Sequence, residues 1–172
     1  MQNLNSMDLV REKKDLFRVQ IRRQKNDEFF TCKRQRSSVP FFIQKEDLEK
    51  MMNDFQENLN FKQIERCVYY LSLIRRSMLS TENKEQAFEN MNYFIQRNLI
   101  ENLLQIISIE NYLEYEKLIE EASWCMSNLA GGSRDHVKEI LKRNCINYMK
   151  NLFCKAQTLA IIDNVILFFC FN

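Results

Sequence analysis

The sequence contains almost nothing that breaks a chain, with only two glycines and one proline in 172 residues. Sandwiches, barrels and phosphate-cradling loops need the turns that glycine and proline supply, so these classes are set aside. Histidine occurs once, as His136, and the six cysteines form no Cys-x-x-Cys pair. Neither zinc-ligand spacing nor a disulfide framework is visible, and the thiols read as reduced and mostly buried. The longest apolar run, residues 165–171, is seven residues, far short of the roughly 20 that a membrane span needs. The opening MQNLNSMDLVREKK lacks the apolar centre of a secretory signal. There is also no nucleophile elbow, glycine-rich phosphate loop or metal-ligand cluster. The expectation is a soluble, intracellular binding protein, not an enzyme, with no cofactor and no membrane partner. His136, within SRDHVKE, reads as a surface residue of a short helix.

What the chain does have is 45% hydrophobic content, 13 phenylalanines and many helix formers, which points to an all-α fold. Its charge is unevenly placed. Residues 11–36 hold ten basic and four acidic side chains, a charge of +6, leaving −4 for the rest within a net +2. A basic arm therefore precedes a mildly acidic body and seeks an acidic partner. Within the arm, Arg11, Lys14, Arg18, Arg22 and Lys25 recur every three or four residues. That spacing places them on one face of a helix. Val10, Phe17 and Ile21 give only a thin apolar line, so this helix is expected to order on binding.

Beyond Pro40 the body repeats. Glu121-Ala-Ser-Trp-Cys-Met-Ser-Asn128 and Val165-Ile-Leu-Phe-Phe-Cys-Phe-Asn172 each place an aromatic residue four before a terminal Asn, at an offset of 44 residues. Two- and three-helix repeat units have periods of about 40–47 residues. Helices are expected over 133–143, 145–153 and 156–172, preceded by an earlier set over 88–97, 99–107 and 112–130. A further third helix is expected over 61–78, without its own first two. Three helices per unit favours the armadillo type. The predicted architecture is a right-handed armadillo solenoid of about two repeats plus a partial one, behind a basic helical arm. Its parts are the arm (1–40), a linker or helical connection (41–60) and the repeat domain (61–172), whose last repeat is cut off in its third helix.

On the 112–130 helix, Leu118, Ala122, Cys125, Met126 and Leu129 project to one side as the core face. Trp124 lies roughly opposite, beside Lys117, Glu121 and Asn128. Its pairing with Asn128, echoed by Phe168 and Asn172, suggests a ladder built to receive a ligand. The plainer alternative is a neighbouring helix packed over the indole.

EASWCMSNLAGGS (residues 121–133) resembles the third-helix motif of the importin-α family, whose Trp and Asn face a peptide-binding groove. VQIRRQKNDEFFTCKRQR (residues 19–36) resembles that family's importin-β-binding segment. The resemblance implies a nuclear import adaptor, found in cytoplasm and nucleus, whose partners are importin-β and cargo carrying basic localisation signals. It implies that Trp124, Asn128, Phe168, Asn172 and Glu121 bind the cargo peptide. Arg11, Lys14, Arg18, Arg22, Arg23 and Lys25 would bind importin-β. Lys33, Arg34 and Arg36, in the Lys-basic-x-basic form of a localisation signal, would compete with cargo for the groove. The chain holds far fewer repeats than that family, so a truncated product is also expected.

In chemical terms, the Asn128 amide offers a donor and an acceptor to an extended backbone. Trp124 offers a face to a Lys stem, with cation–π attraction of about 0.5–2 kcal/mol, and Glu121 would favour cationic cargo. Two other readings compete: a generic armadillo scaffold or non-delivering fragment that competes for importin-β, and nucleic-acid binding through residues 11–36. Against the latter, the arm has aromatics only at Phe17, Phe29 and Phe30, and no DNA-reading fold surrounds it.

Overall fold

A computed structural model describes residues 45–79 and 84–171, all within the unit that begins at Pro40. The described residues form eight helices and no strand. They are α1 (Lys45–Asn60), α2 (Ile64–Ser77), α3 (Lys84–Gln96), α4 (Leu99–Ile107), α5 (Glu116–Ala130), α6 (Arg134–Lys142), α7 (Cys145–Lys155) and α8 (Leu159–Phe171). No helix among them is long and apolar enough to cross a membrane.

Each helix forms where its apolar residues recur at helical spacing. In α4, Leu99, Ile100, Leu103, Ile106 and Ile107 are all buried, the i, i+3, i+4, i+7 pattern of an amphipathic helix. The expected core face of α5 is also confirmed: Leu118, Ala122, Cys125, Met126 and Leu129 are buried. Residues 45–60, within the stretch read from sequence as a linker or helical connection, form a helix that belongs to the core. Leu48, Met51, Met52 and Phe55 of α1 are buried, and α1 packs along α2. Full burial of a side chain such as Phe55 contributes about 1.5–3 kcal/mol.

Packing follows a regular order. α5 lies between α2 and α8 and also meets α4 and α6, while α7 packs on α4 and α8. Two turns echo one another. Arg97-Asn98 precedes α4 and Arg143-Asn144 precedes α7, and both asparagines take left-handed backbone at φ 63° and 57°. Asparagine tolerates that region better than most residues. In each turn the arginine reaches a glutamate on an earlier helix. Arg97 pairs with Glu49 of α1 at 3.2 Å, and Arg143 pairs with Glu101 of α4. α1 thus bears the same relation to the α3–α4 turn that α4 bears to the α6–α7 turn.

The α5–α6 junction holds a buried polar cluster. Ser133 caps α6 by accepting from the His136 backbone N–H, and the His136 ring reciprocates, with Nδ1 accepting from the Ser133 N–H at 2.9 Å. This reciprocal cap satisfies two donors that a helix start leaves open. Nε2 therefore carries the proton and donates to Asn92 Oδ1 at 2.9 Å, while Phe88 meets the ring edge-on. His136 is 1% exposed. The surface position expected from its polar flanks is corrected: the ring is the cap itself and faces α3.

Two expected outcomes follow at this junction. A Cβ at Gly132 would collide with the His136 imidazole and crowd Met91 Sδ, so Gly132→Ala should destabilise by about 1–3 kcal/mol, the usual cost of overpacking. A urea midpoint equal to wild type would show that the cap has room. The second concerns pH. Burial pushes His136 below its ordinary value of 6.5, with Asp135 pulling weakly the other way. The unfolded chain takes up its proton near 6.5, the folded one only at lower pH. Stability is therefore complete above the unfolded pKa and falls as pH drops through the window down to the folded one. Urea midpoints at pH 7.5 and about 5.5 should differ in that direction. As the chain has one histidine, a flat profile between them would contradict the assignment.

Candidate functional site

Trp124 and Asn128 lie one turn apart on α5, and what surrounds them differs from the expected open polar face. α2 supplies Arg75, whose guanidinium lies over the indole with Cζ 3.8 Å from the ring centroid. Arg75 Nε donates to Glu121 Oε2 at 2.7 Å, and Nη2 reaches Oε1 at 3.5 Å. Arg75 is 4% exposed, while Trp124 and Glu121 are half-buried. Cation, ring and carboxylate thus form one interhelix cluster, in which the planar guanidinium stacks and forks at once. The alternative of a neighbouring helix packed over the indole is realised through this single side chain.

Glu121, whose carboxylate was expected to favour cationic cargo, is paired with the chain's own Arg75. Asn128 is buried, and its Nδ2 has no hydrogen-bond partner; the same holds for Arg75 Nη1. The physical reason that Asn128 leaves the expected polar face is the central place of α5, packed on several sides at once. Below this cluster the Cys125 thiol donates to the Leu71 carbonyl at 3.6 Å. Burial, reinforced by the Glu121 charge, pushes its pKa well above the ordinary thiol value, so it stays a protonated, unreactive core group.

Phe168 does not join the site. It is 0% exposed within the core, edge-on to Phe169, and presents no face along which a Lys stem could lie. The step from α5 to α8 is instead marked by a polar residue missed in the sequence. Asn164 Nδ2 donates to the Glu120 carbonyl at 3.3 Å and to Ser123 Oγ at 3.2 Å, and the Asn164 carbonyl accepts from Ser127 Oγ. This buried network locks the two helices in register. Its one signal in the sequence is an asparagine within the most apolar of the described helices.

Several expectations lie outside the described residues. These are Asn172, the stripe of Arg11, Lys14, Arg18, Arg22, Arg23 and Lys25, and the cluster of Lys33, Arg34 and Arg36. Among the described residues no group of His, Cys, Asp or Glu is placed to hold a metal ion.

Comparison of the chain with protein-family models, with curated proteins and with solved structures returns no match.

Proposed function

We propose that this chain is an importin-α-like protein of the nuclear import machinery, an armadillo-type right-handed stack of about two repeats and a partial one, engaging importin-β through its basic arm. The observation that carries the reading is the recurrence of equivalent features at repeat spacing. The left-handed Asn98 and Asn144 are separated by 46 residues and immediately precede α4 and α7, and α5 packs on both α2 and α8; the reading takes α4 and α7 as second helices and α2, α5 and α8 as third helices. The motifs EASWCMSNLAGGS and VQIRRQKNDEFFTCKRQR support the same reading. In it the chain is a binding protein, not an enzyme, of cytoplasm and nucleus, and its body offers the α5 face to an extended peptide.

Two forms of this function differ in what the body does. In one, Trp124 and Asn128 hold a basic localisation signal and the chain delivers cargo. In the other, the chain occupies importin-β without delivering and competes with complete adaptors. Arg75 over the Trp124 ring favours the second form, because the place of a cargo lysine is already filled. The test is capture of the full chain on immobilised importin-β at low and high salt, with duplex DNA as the alternative bait. Capture by importin-β that fades as salt rises is the expected result. Retention on DNA but not on importin-β would replace the reading with nucleic-acid binding.

A further inference from the structure

Helices α7 and α8 leave an apolar face open, and the fold shows what a face of this kind receives. The left-handed Asn98 and Asn144 set α4 and α7 in correspondence, residue by residue. Leu99, Leu103 and Ile106 of α4 match Cys145, Met149 and Leu152 of α7, and all of them are buried. Ile100 and Ile107 match Ile146 and Phe153, and here the two helices part. The α4 pair is 0% and 6% exposed, the α7 pair 37% and 47%. What differs is the following helix, since α4 has α7 packed on it.

The same open side continues on α8. Ile161, Asn164, Val165 and Phe168 are buried, and Asn164 bonds to α5. On the opposite side, away from α5, Leu159, Ile162, Ile166 and Phe169 recur at i, i+3, i+7 and i+10, the spacing by which helices pair. Leu159 is 79% exposed, Ile166 45% and Phe169 42%. A helix that is apolar on all sides belongs to an enclosed position, and a contiguous apolar patch marks an interaction surface. The stripe carries no charge, so two copies of it meet without repulsion. Around it the signs are opposed: α7 presents Lys150 and Lys155, and α8 presents Asp163, all exposed. A two-fold pairing that lays α7 of one protomer along α8 of its partner brings these opposite charges together.

We propose that the open side of α7 and α8 is a self-association face, on which two copies of this chain pack about a two-fold axis through Ile146, Phe153, Leu159, Ile162, Ile166 and Phe169. The face takes from a second copy what α4 takes from α7 within one chain, an apolar helix surface. These side chains are fewer than the about 20–30 residues a side of a standard interface, so the pairing is reversible and set by concentration. It rests neither on the importin-α reading nor on the basic arm.

The experiment is sedimentation velocity of the full chain over about 1–100 µM, the range in which a small interface equilibrates. Reducing conditions exclude disulfides through the exposed Cys154 and Cys170. Wild type is expected to pass from monomer to dimer across this range, and to do so at raised salt as well, because screening weakens charge pairs and not apolar burial. Ile166→Glu places a charge inside the contact and should weaken the dimer by at least about tenfold, and Leu159→Glu should act in the same direction. Both side chains are exposed in the single chain, so helical circular dichroism should match wild type. Leu113→Glu changes a residue that is as exposed but lies before α5, and it should leave the dimer intact. A monomer at the highest concentration would overturn the proposal. So would a dimer that survives both Ile166→Glu and Leu159→Glu, or one that is lost with salt, which would assign the contact to the basic arm. Growth beyond the dimer would replace the two-fold with head-to-tail stacking and overturn it too.

Discussion

Glu121→Ala is expected to cost about 3–5 kcal/mol of folding stability, the penalty for removing one partner of a buried ion pair and leaving the other charge uncompensated. Arg75 is 4% exposed and donates to Glu121 through two nitrogens. Without that carboxylate it would keep only the Trp124 ring, whose attraction is about 0.5–2 kcal/mol. Since a domain's whole stability is about 5–15 kcal/mol, the loss should show as a large drop in urea midpoint, followed through Trp124 fluorescence. Glu121→Gln keeps an acceptor of the same shape and should cost less than Glu121→Ala. A Glu121→Ala midpoint within experimental error of wild type would mean that the pair is solvated and that Arg75 does not hold the α2–α5 contact. The exposed pairs offer a contrast: Lys138–Asp135 lies in solvent, and breaking it should change stability far less than Glu121→Ala does.

The helices could be read from periodicity because apolar residues at i, i+3 and i+4 mark a buried stripe irrespective of what covers it. That is why the bounds of α4 and the core face of α5 could be read directly. Periodicity does not reveal how many neighbours a helix has. Asn128 projects opposite Met126 and beside Trp124 and Glu121, yet it is buried because α5 is enclosed by other helices. Phe168 looked equivalent to Trp124 by spacing alone, whereas α8 turns it inward. Arg75 was legible in part: it falls four residues after Leu71 and next to Ile74, both buried, while Arg76 faces solvent. A charged residue on an apolar stripe signals a buried partner, but that partner lies 46 residues away. The echo of Arg97-Asn98 in Arg143-Asn144 was present in the sequence as well. It lies in turns, outside any helical periodicity, and shows as backbone geometry more than as side-chain pattern.

The second large effect concerns the arm. On the proposed importin-β reading, reversing Arg18 and Arg22 to Glu should abolish that binding, because both share the helical spacing of Arg11, Lys14 and Lys25 in the sequence, and each reversal replaces an attraction with a repulsion. Lys13→Glu, off the stripe, should matter much less. The association should also weaken steeply between 0.1 M and 1 M salt, as the Debye length contracts from about 10 Å to about 3 Å. Equal losses for Lys13→Glu and for the double reversal, measured by surface binding at constant salt, would indicate a diffuse charge effect with no helical face. On the proposed reading, a basic segment that orders on its partner needs no intact body behind it, so Glu121→Ala should leave this binding unchanged while it weakens the body.

The measurement closest to the centre of this account is a pair of calorimetric titrations on the full chain, one with importin-β and one with a Lys-rich localisation peptide, at the same ionic strength. The expected result is salt-sensitive binding to importin-β and no binding of the lysine peptide that depends on Trp124, since Arg75 already covers the ring. Tight binding of the lysine peptide that is lost in Trp124→Ala, with importin-β giving no heat, would contradict it.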